Sequence, residues 1–161
     1  MTSNTFSVEI EQIENFRFDV RFAQGGISII GDEPPPTGQG SGPQPAELLA
    51  AAVANCLMAS LFFCLTKART ATGTLKAHAE GRLARDAQGR LRVAGIEVTL
   101  AAPAATPRCL TLFENYCVVT ESVRAGIPVS VKVIDEHGHI LHATPALHAP
   151  DPDQPPKSYP D

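Results

Sequence analysis

The chain has 161 residues and a formal net charge of −4, with its few basic residues scattered. This length suits one domain with a real core, and the charge argues against nucleic acid or an anionic membrane as partner. Met1 to Asn4 has neither the basic start nor the apolar stretch of an export signal, so the expected compartment is the cytoplasm. Four cysteines in a reducing compartment read better as free or redox-active thiols than as a structural disulfide framework.

Phe6 to Ile13 alternates apolar and polar residues and predicts a half-buried strand. After a turn at Glu14-Asn15, Phe16, Phe18, Val20 and Phe22 alternate with Arg17, Asp19 and Arg21, a second strand of the same kind. Gln24-Gly25-Gly26 is a hairpin signal, and Gly26 to Ile30 completes a three-stranded antiparallel meander. Asp32 to Pro45, DEPPPTGQGSGPQP, holds no core-forming residue. It reads either as a linker or as an ordered loop leading to a site, stiffer in both cases than a Gly/Ser segment.

From Phe22 to Thr66 there is no Lys, Arg or His. The apolar run Leu48 to Leu65 within that stretch is long enough to raise a membrane span. Against this, Asn55 and Ser60 interrupt it and no basic cluster flanks its start. Pro45 suits a first helical turn and Glu47 complements the positive end of the dipole. The expectation is a central helix over Pro45 to Ala68, buried on nearly all sides.

Leu75 to Arg85 and Leu91 to Leu100 form a second hairpin around Asp86-Ala87-Gln88-Gly89, with a bulge expected at Gly95. Thr106 as N-cap and Pro107 at the first position open a second helix, and Gly126 with Pro128 ends it. Pro128 to Ile134 is a last strand. The predicted fold is α+β, in the order βββ-α-ββ-α-β. His137, His139 and His142 in HGHILH read as a solvated strand end rather than a metal site. Residues 149–161 read as a disordered or loosely docked tail.

Cys56 and Cys117 lie in the two helices, and for either alone the ordinary reading is a small buried hydrophobe. Cys64 stands eight residues after Cys56, and Cys109 eight before Cys117. Eight residues rise about 12 Å, so neither pair can bond within a straight helix. Any disulfide must join one helix to the other.

The segment GPQPAELLAAAVANC resembles the OsmC/Ohr family signature, DEPPPTGQGSGP the loop before it in OsmC-like members, and FENYCVVTESVRAGIPVSVKV the family's second-cysteine helix and closing strand. The resemblance covers about residues 6 to 135 and is nearer a less characterised OsmC-like branch than true Ohr. It implies an OsmC/Ohr-like domain over 1–135, with 136–161 as a His-bearing, Pro-rich C-terminal extension. It further implies an intertwined homodimer with two central helices and antiparallel sheets outside. The implied activity is thiol-dependent reduction of organic hydroperoxides in oxidative or osmotic stress defence. Cys56 would be the peroxidatic thiol and Cys117 the resolving one, with an external dithiol of dihydrolipoyl type as reductant and no metal or organic cofactor.

Two departures accompany the resemblance. The glutamate of the best-studied branches stands where this chain has Ala46, and Glu47 matches another branch. Nine residues at about 100° each set Glu47 on the far side of a straight helix from Cys56, and a carboxylate at a helix start needs no catalytic role. The family's activating arginine has no counterpart in the loop. Arg17 and Arg21 are the candidate cations by position, and Arg124 an alternative on the face of Cys117. A thiol in an apolar site without a cation has a raised pKa. That leaves a second reading, an OsmC-like apolar-ligand-binding or stress-associated protein with little or no peroxidase turnover.

Overall fold

A computed structural model describes residues 5–71, 73–103, 105–126, 131–134 and 137–144. The chain forms two compact units. The first runs up to Asn55 and includes Leu75–Ala101; the second holds Cys56–Thr74 and the chain from Ala102 onward. The long helix α1, Pro45–Lys67, runs through both.

In the first unit, β1 (Val8–Glu14), β2 (Arg17–Phe22) and β3 (Ser28–Gly31) make the expected antiparallel meander in the order β1-β2-β3. Asn15, at φ 49°, takes the left-handed turn between β1 and β2, a conformation Asn tolerates better than most residues. The expectation that β1 is half-buried is corrected. Every one of its residues is exposed, Ile10 at 65%, because no described residue covers its apolar face. Val20 in β2 is buried.

The stretch after β3 is an ordered loop, not a linker. Asp32 organises it: one carboxylate oxygen accepts from Ser41 N at 2.9 Å, Ser41 Oγ at 2.8 Å and Gln39 N at 3.3 Å. These bonds, the Ser41 N–H above all, hold the Asp32 carboxyl below its ordinary pKa. Asp32 N donates to Pro43 O at 3.3 Å, closing the loop at its base. Two glycines are sterically required. A Cβ at Gly42 would lie 1.8 Å from Ile30 O, and one at Gly38 2.2 Å from Glu33 O. The hairpin β4 (Lys76–Arg85) and β5 (Leu91–Ala101) completes this unit, and its register shifts where Arg82 faces Gly95 and Leu83 faces Val93, beside the glycine expected to bulge.

Along α1 the buried residues are Ala50, Val53, Ala54, Leu57, Leu61 and Leu65. Their spacing of three and four residues makes one stripe. Ala51, Ala52, Asn55, Ala59, Phe62 and Phe63 are exposed, so the single chain buries one face of the helix, and burial on nearly all sides was expected only with further protein around it. Among the described residues α1 is the one helix that by length and composition could cross a membrane. Within its most apolar window, 28% is buried against the chain.

In the second unit the predicted second helix is broken into three pieces. Helix α2 (Pro107–Leu112) starts as expected, with Thr106 Oγ1 accepting from Cys109 N and Pro107 in the first turn. A 3-10 turn follows over Phe113–Tyr116. Cys117 then leaves the helical region, with φ −81° and ψ 96°, and becomes the N-cap of α3, Val118–Ala125. Helix α3 ends at Gly126, φ 71°, as expected. The strands β6 (Val131–Ile134) and β7 (Ile140–Thr144) form a hairpin. Strand β7 is a seventh strand the sequence reading lacked. It falls in the stretch expected as an extension beyond residue 135, so that stretch pairs back with the domain's last strand. The expected tail at 149–161 and the start of the last strand at Pro128 lie outside the described residues.

Candidate functional site

The second unit brings together the C-terminal part of α1 and the α2–α3 segment. Three links join them. Cys64 is disulfide-bonded to Cys109, with Cα atoms 5.6 Å apart. Ser60 Oγ donates to Phe113 O at 2.5 Å. Cys56 stands beside Cys117, both as free thiols. Each link steps four residues back along α1 and four forward along the facing segment, so all three belong to one antiparallel register.

Cys56 is half-buried and Cys117 fully buried. Burial pushes the Cys56 thiol above its ordinary pKa; the N–H of Val119 pulls it down, the neighbouring Cys117 pushes it up, and the N–H of Val118 again pulls it down. Val118 and Val119 open α3, where the first N–H groups of a helix lack intrahelical partners. The break at Cys117 puts them at a helix start, where they favour the Cys56 thiolate. The Cys117 thiol donates to Thr120 Oγ1 at 2.9 Å, and Thr120 is itself buried.

The other expected site residues are differently employed. Glu47, in the first unit, accepts from Gln44 N at 3.0 Å. That is the carboxylate half of a capping box at the start of α1. Arg21 pairs with Asp19 at 2.7 Å and with Glu11. Arg17 pairs with Glu14, and its buried Nε has no hydrogen-bond partner among the described residues. Arg17 lines a cleft of about 240 Å³ in the first unit together with Asp32, whose Oδ1 is likewise unpartnered. Arg124, in the second unit with the cysteines, is held at 2.7 Å by both Glu114 and Glu121. His137 and His139 stand with ring centroids 6.1 Å apart, and among the described residues no group of three His, Cys, Asp or Glu is arranged to hold a metal.

Sequence reasoning missed Ser60, Thr120, the two α3 N–H groups and the Cys64–Cys109 bridge. The signal for the bridge and Ser60 was present in the spacing. Positions 56, 60 and 64 rise along one helical face and 109, 113 and 117 repeat the same step, so two cysteines of each set can meet in either direction, and the Cys64–Cys109 bridge is what makes the pairing antiparallel.

Comparison with known proteins agrees with this architecture. A family model described as OsmC-like protein matches residues 38–132. An OsmC-like protein of unknown function from Vibrio cholerae superposes with a TM-score of 0.63 at 16% identity, over 74% of this chain and 94% of that one. The organic hydroperoxide resistance protein OsmC of Legionella pneumophila gives 0.61 at 14% identity, over 77% and 92%. OhrB, an organic hydroperoxide resistance protein of Bacillus subtilis, gives 0.56 at 14% identity, over 75% and 93%. A search of curated proteins finds no match to the sequence. At these identities the superpositions show the fold, and the family model, matching more than half of the sequence, shows that this chain belongs to the OsmC-like protein family.

Proposed function

We propose that the protein reduces organic hydroperoxides through the Cys56–Cys117 pair. The observation that carries this reading is the juxtaposition of two free thiols, one half-buried and one buried, at the N-terminus of α3. The Cys56 thiolate attacks the distal oxygen of a hydroperoxide; the O–O bond breaks, an alcohol leaves with a proton, and Cys56 becomes a sulfenic acid. The Cys117 sulfur attacks that sulfenic sulfur, forming the disulfide and releasing water. An external dithiol, in this proposal of dihydrolipoyl type, restores both thiols by exchange and leaves as its own disulfide.

The proposal includes a cytoplasmic homodimer with no membrane, nucleic acid, metal or organic cofactor. Support for a second copy comes from the apolar surface one chain leaves uncovered, including Phe62, Phe63 and the whole of β1. Glu47, Arg17 and Arg21 enter on family resemblance alone, as groups that a second copy would offer to the thiol. A second reading, apolar-ligand binding with little turnover, is favoured by one observation: the raised pKa of Cys56, which keeps most of the thiol protonated at neutral pH.

The test follows consumption of tert-butyl hydroperoxide by native protein and by Cys56→Ser with a dithiol supplied. Thiol-dependent consumption that disappears in the variant is expected, with a Cys56–Cys117 disulfide in the non-reducing peptide map. Equal consumption by both proteins removes Cys56 from the chemistry. No consumption by native protein, with an apolar molecule retained in native mass spectrometry, establishes the binding reading instead.

A further inference from the structure

The second cysteine pair has no part in the chemistry just proposed, yet it sits in register with the first. Starting from Cys64–Cys109, the next link is Ser60 to Phe113 O and the one after that is Cys56 with Cys117. On α1, Cys64 lies about 12 Å from Cys56, too far for direct exchange between the pairs. The segment that carries Cys117 is short and irregular: six residues of α2, a single 3-10 turn, then the break. Among the described residues, two links hold this segment against α1 ahead of Cys117. One is a single neutral hydrogen bond, the other a covalent bridge between residues 45 apart in sequence.

We propose that Cys64 and Cys109 are positioning residues, whose bridge fixes the slide and rotation of the α2–α3 segment and so holds Cys117 and the α3 N–H groups against Cys56. The inference rests on the peroxidase reading and deepens it. Once Cys56 is a sulfenic acid, two reactions compete for it. Condensation with Cys117 is intramolecular: the S–S bond forms, the S–O bond breaks and water leaves. Reaction with a second hydroperoxide is bimolecular: the sulfur gains an oxygen to become a sulfinic acid and an alcohol leaves. Misplacing Cys117 slows the first and leaves the second unchanged. The state of the distant pair therefore sets how much hydroperoxide the near pair survives. Cys109 is 1% exposed and Cys64 half-buried, so Cys64 is the sulfur an external thiol reaches first when the bridge is opened.

The experiment uses full-length native protein, with its Cys64–Cys109 bridge checked by non-reducing peptide mapping, and the variant Cys64→Ala/Cys109→Ala. Each is treated with rising tert-butyl hydroperoxide well below its unfolding temperature, and Cys56 is quantified as disulfide with Cys117 and as sulfinic acid. A misplacement of about 1 Å between reacting groups can cost a hundredfold in rate. The hydroperoxide concentration that converts half of Cys56 to sulfinic acid is accordingly expected to fall by roughly 10- to 100-fold in the variant. A bridge that only stabilises the fold lowers the unfolding temperature and leaves this partition unmoved, which overturns the inference alone. Native Cys56 that stays reduced overturns the hydroperoxide reading and this inference with it. Should the variant fail to fold by circular dichroism, native protein reduced with a phosphine and freed of it gives the same comparison with the bridge open.

Discussion

Replacing Ser60 by Ala tests the register of the site through the sign of its effect. Ser60 lies inside α1, where Ala is the better helix former by about 0.5 kcal/mol. Were Ser60 idle, the substitution would stabilise the protein by about that amount. In the structure its Oγ donates to Phe113 O at 2.5 Å across to the 3-10 turn. A neutral hydrogen bond contributes about 1 kcal/mol net, and a carbonyl left partly unsatisfied costs up to about 3 kcal/mol. The lost bond outweighs the propensity gain, for a net destabilisation of about 0.5–2.5 kcal/mol. At about 2–4 °C per kcal/mol for a chain of this size, the melting temperature falls by roughly 1–10 °C. Calorimetry or urea titration measures this, with the Cys64–Cys109 bridge intact so that only the middle link changes. A melting temperature that rises would refute the link, and with it the antiparallel register on which the placement of Cys117 depends.

Glu47→Gln retains both stability and activity if the residue only caps α1, because Gln also completes a capping box, while Glu47→Ala loses about 0.5–1 kcal/mol; a Gln variant that keeps its melting temperature and loses hydroperoxide consumption would give Glu47 a catalytic role. Alkylation of Cys56 by iodoacetamide, read by peptide mass, is expected to rise with pH through a midpoint above the ordinary thiol value of about 8.5, because burial and Cys117 both raise it. Cys117→Ala removes one of those causes and shifts the midpoint down; an unchanged or higher midpoint contradicts the arrangement. Asp32 has a depressed folded-state pKa, so its contribution to stability is complete above its unfolded value of about 3.9 and is lost as pH falls through the lower folded value. Melting temperature measured from pH 5 down to 2 should therefore fall less steeply in Asp32→Asn than in native protein.

The elements that local chemistry dictates were legible. Pro45 and Glu47 announced the start of α1, Thr106-Pro107 that of α2 and Gly126 the end of α3, since caps and left-handed stops depend on residues next to each other in sequence. The hairpins followed from turn residues and alternation. What failed was decided by distant contacts. Residues 113–118, FENYCV, contain neither Gly nor Pro, so nothing local marks the break at Cys117. The apolar residues Phe113, Tyr116 and Val119 continue a helical period straight through it. The order of the 32–43 loop comes from one carboxylate gathering donors seven and nine residues away, a tertiary effect that composition hides. Strand β7 was obscured by the histidines around Ile140 and Leu141, which read as a solvated end. Burial was overestimated for β1 because periodicity tells which face is apolar and not whether one chain suffices to cover it.

The break at Cys117 also answers, in part, how a thiol without an evident cation is stabilised. In a continuous helix the N–H groups of Val118 and Val119 would bond to the carbonyls four residues earlier, Glu114 and Asn115. Here Glu114 O is taken instead by the N–H of Cys117 at 2.9 Å. Val118 is thereby released from that carbonyl, and the N–H groups of Val118 and Val119 both lower the pKa of Cys56. Straightening the segment would remove both N–H groups from the sulfur and leave burial to act alone. Two neutral donors at a helix start oppose burial without overcoming it, as the raised pKa of Cys56 shows. The single chain thus supplies two neighbouring free thiols and part of their electrostatics, and a positive charge that favours the thiolate would act on a site already shaped by the break.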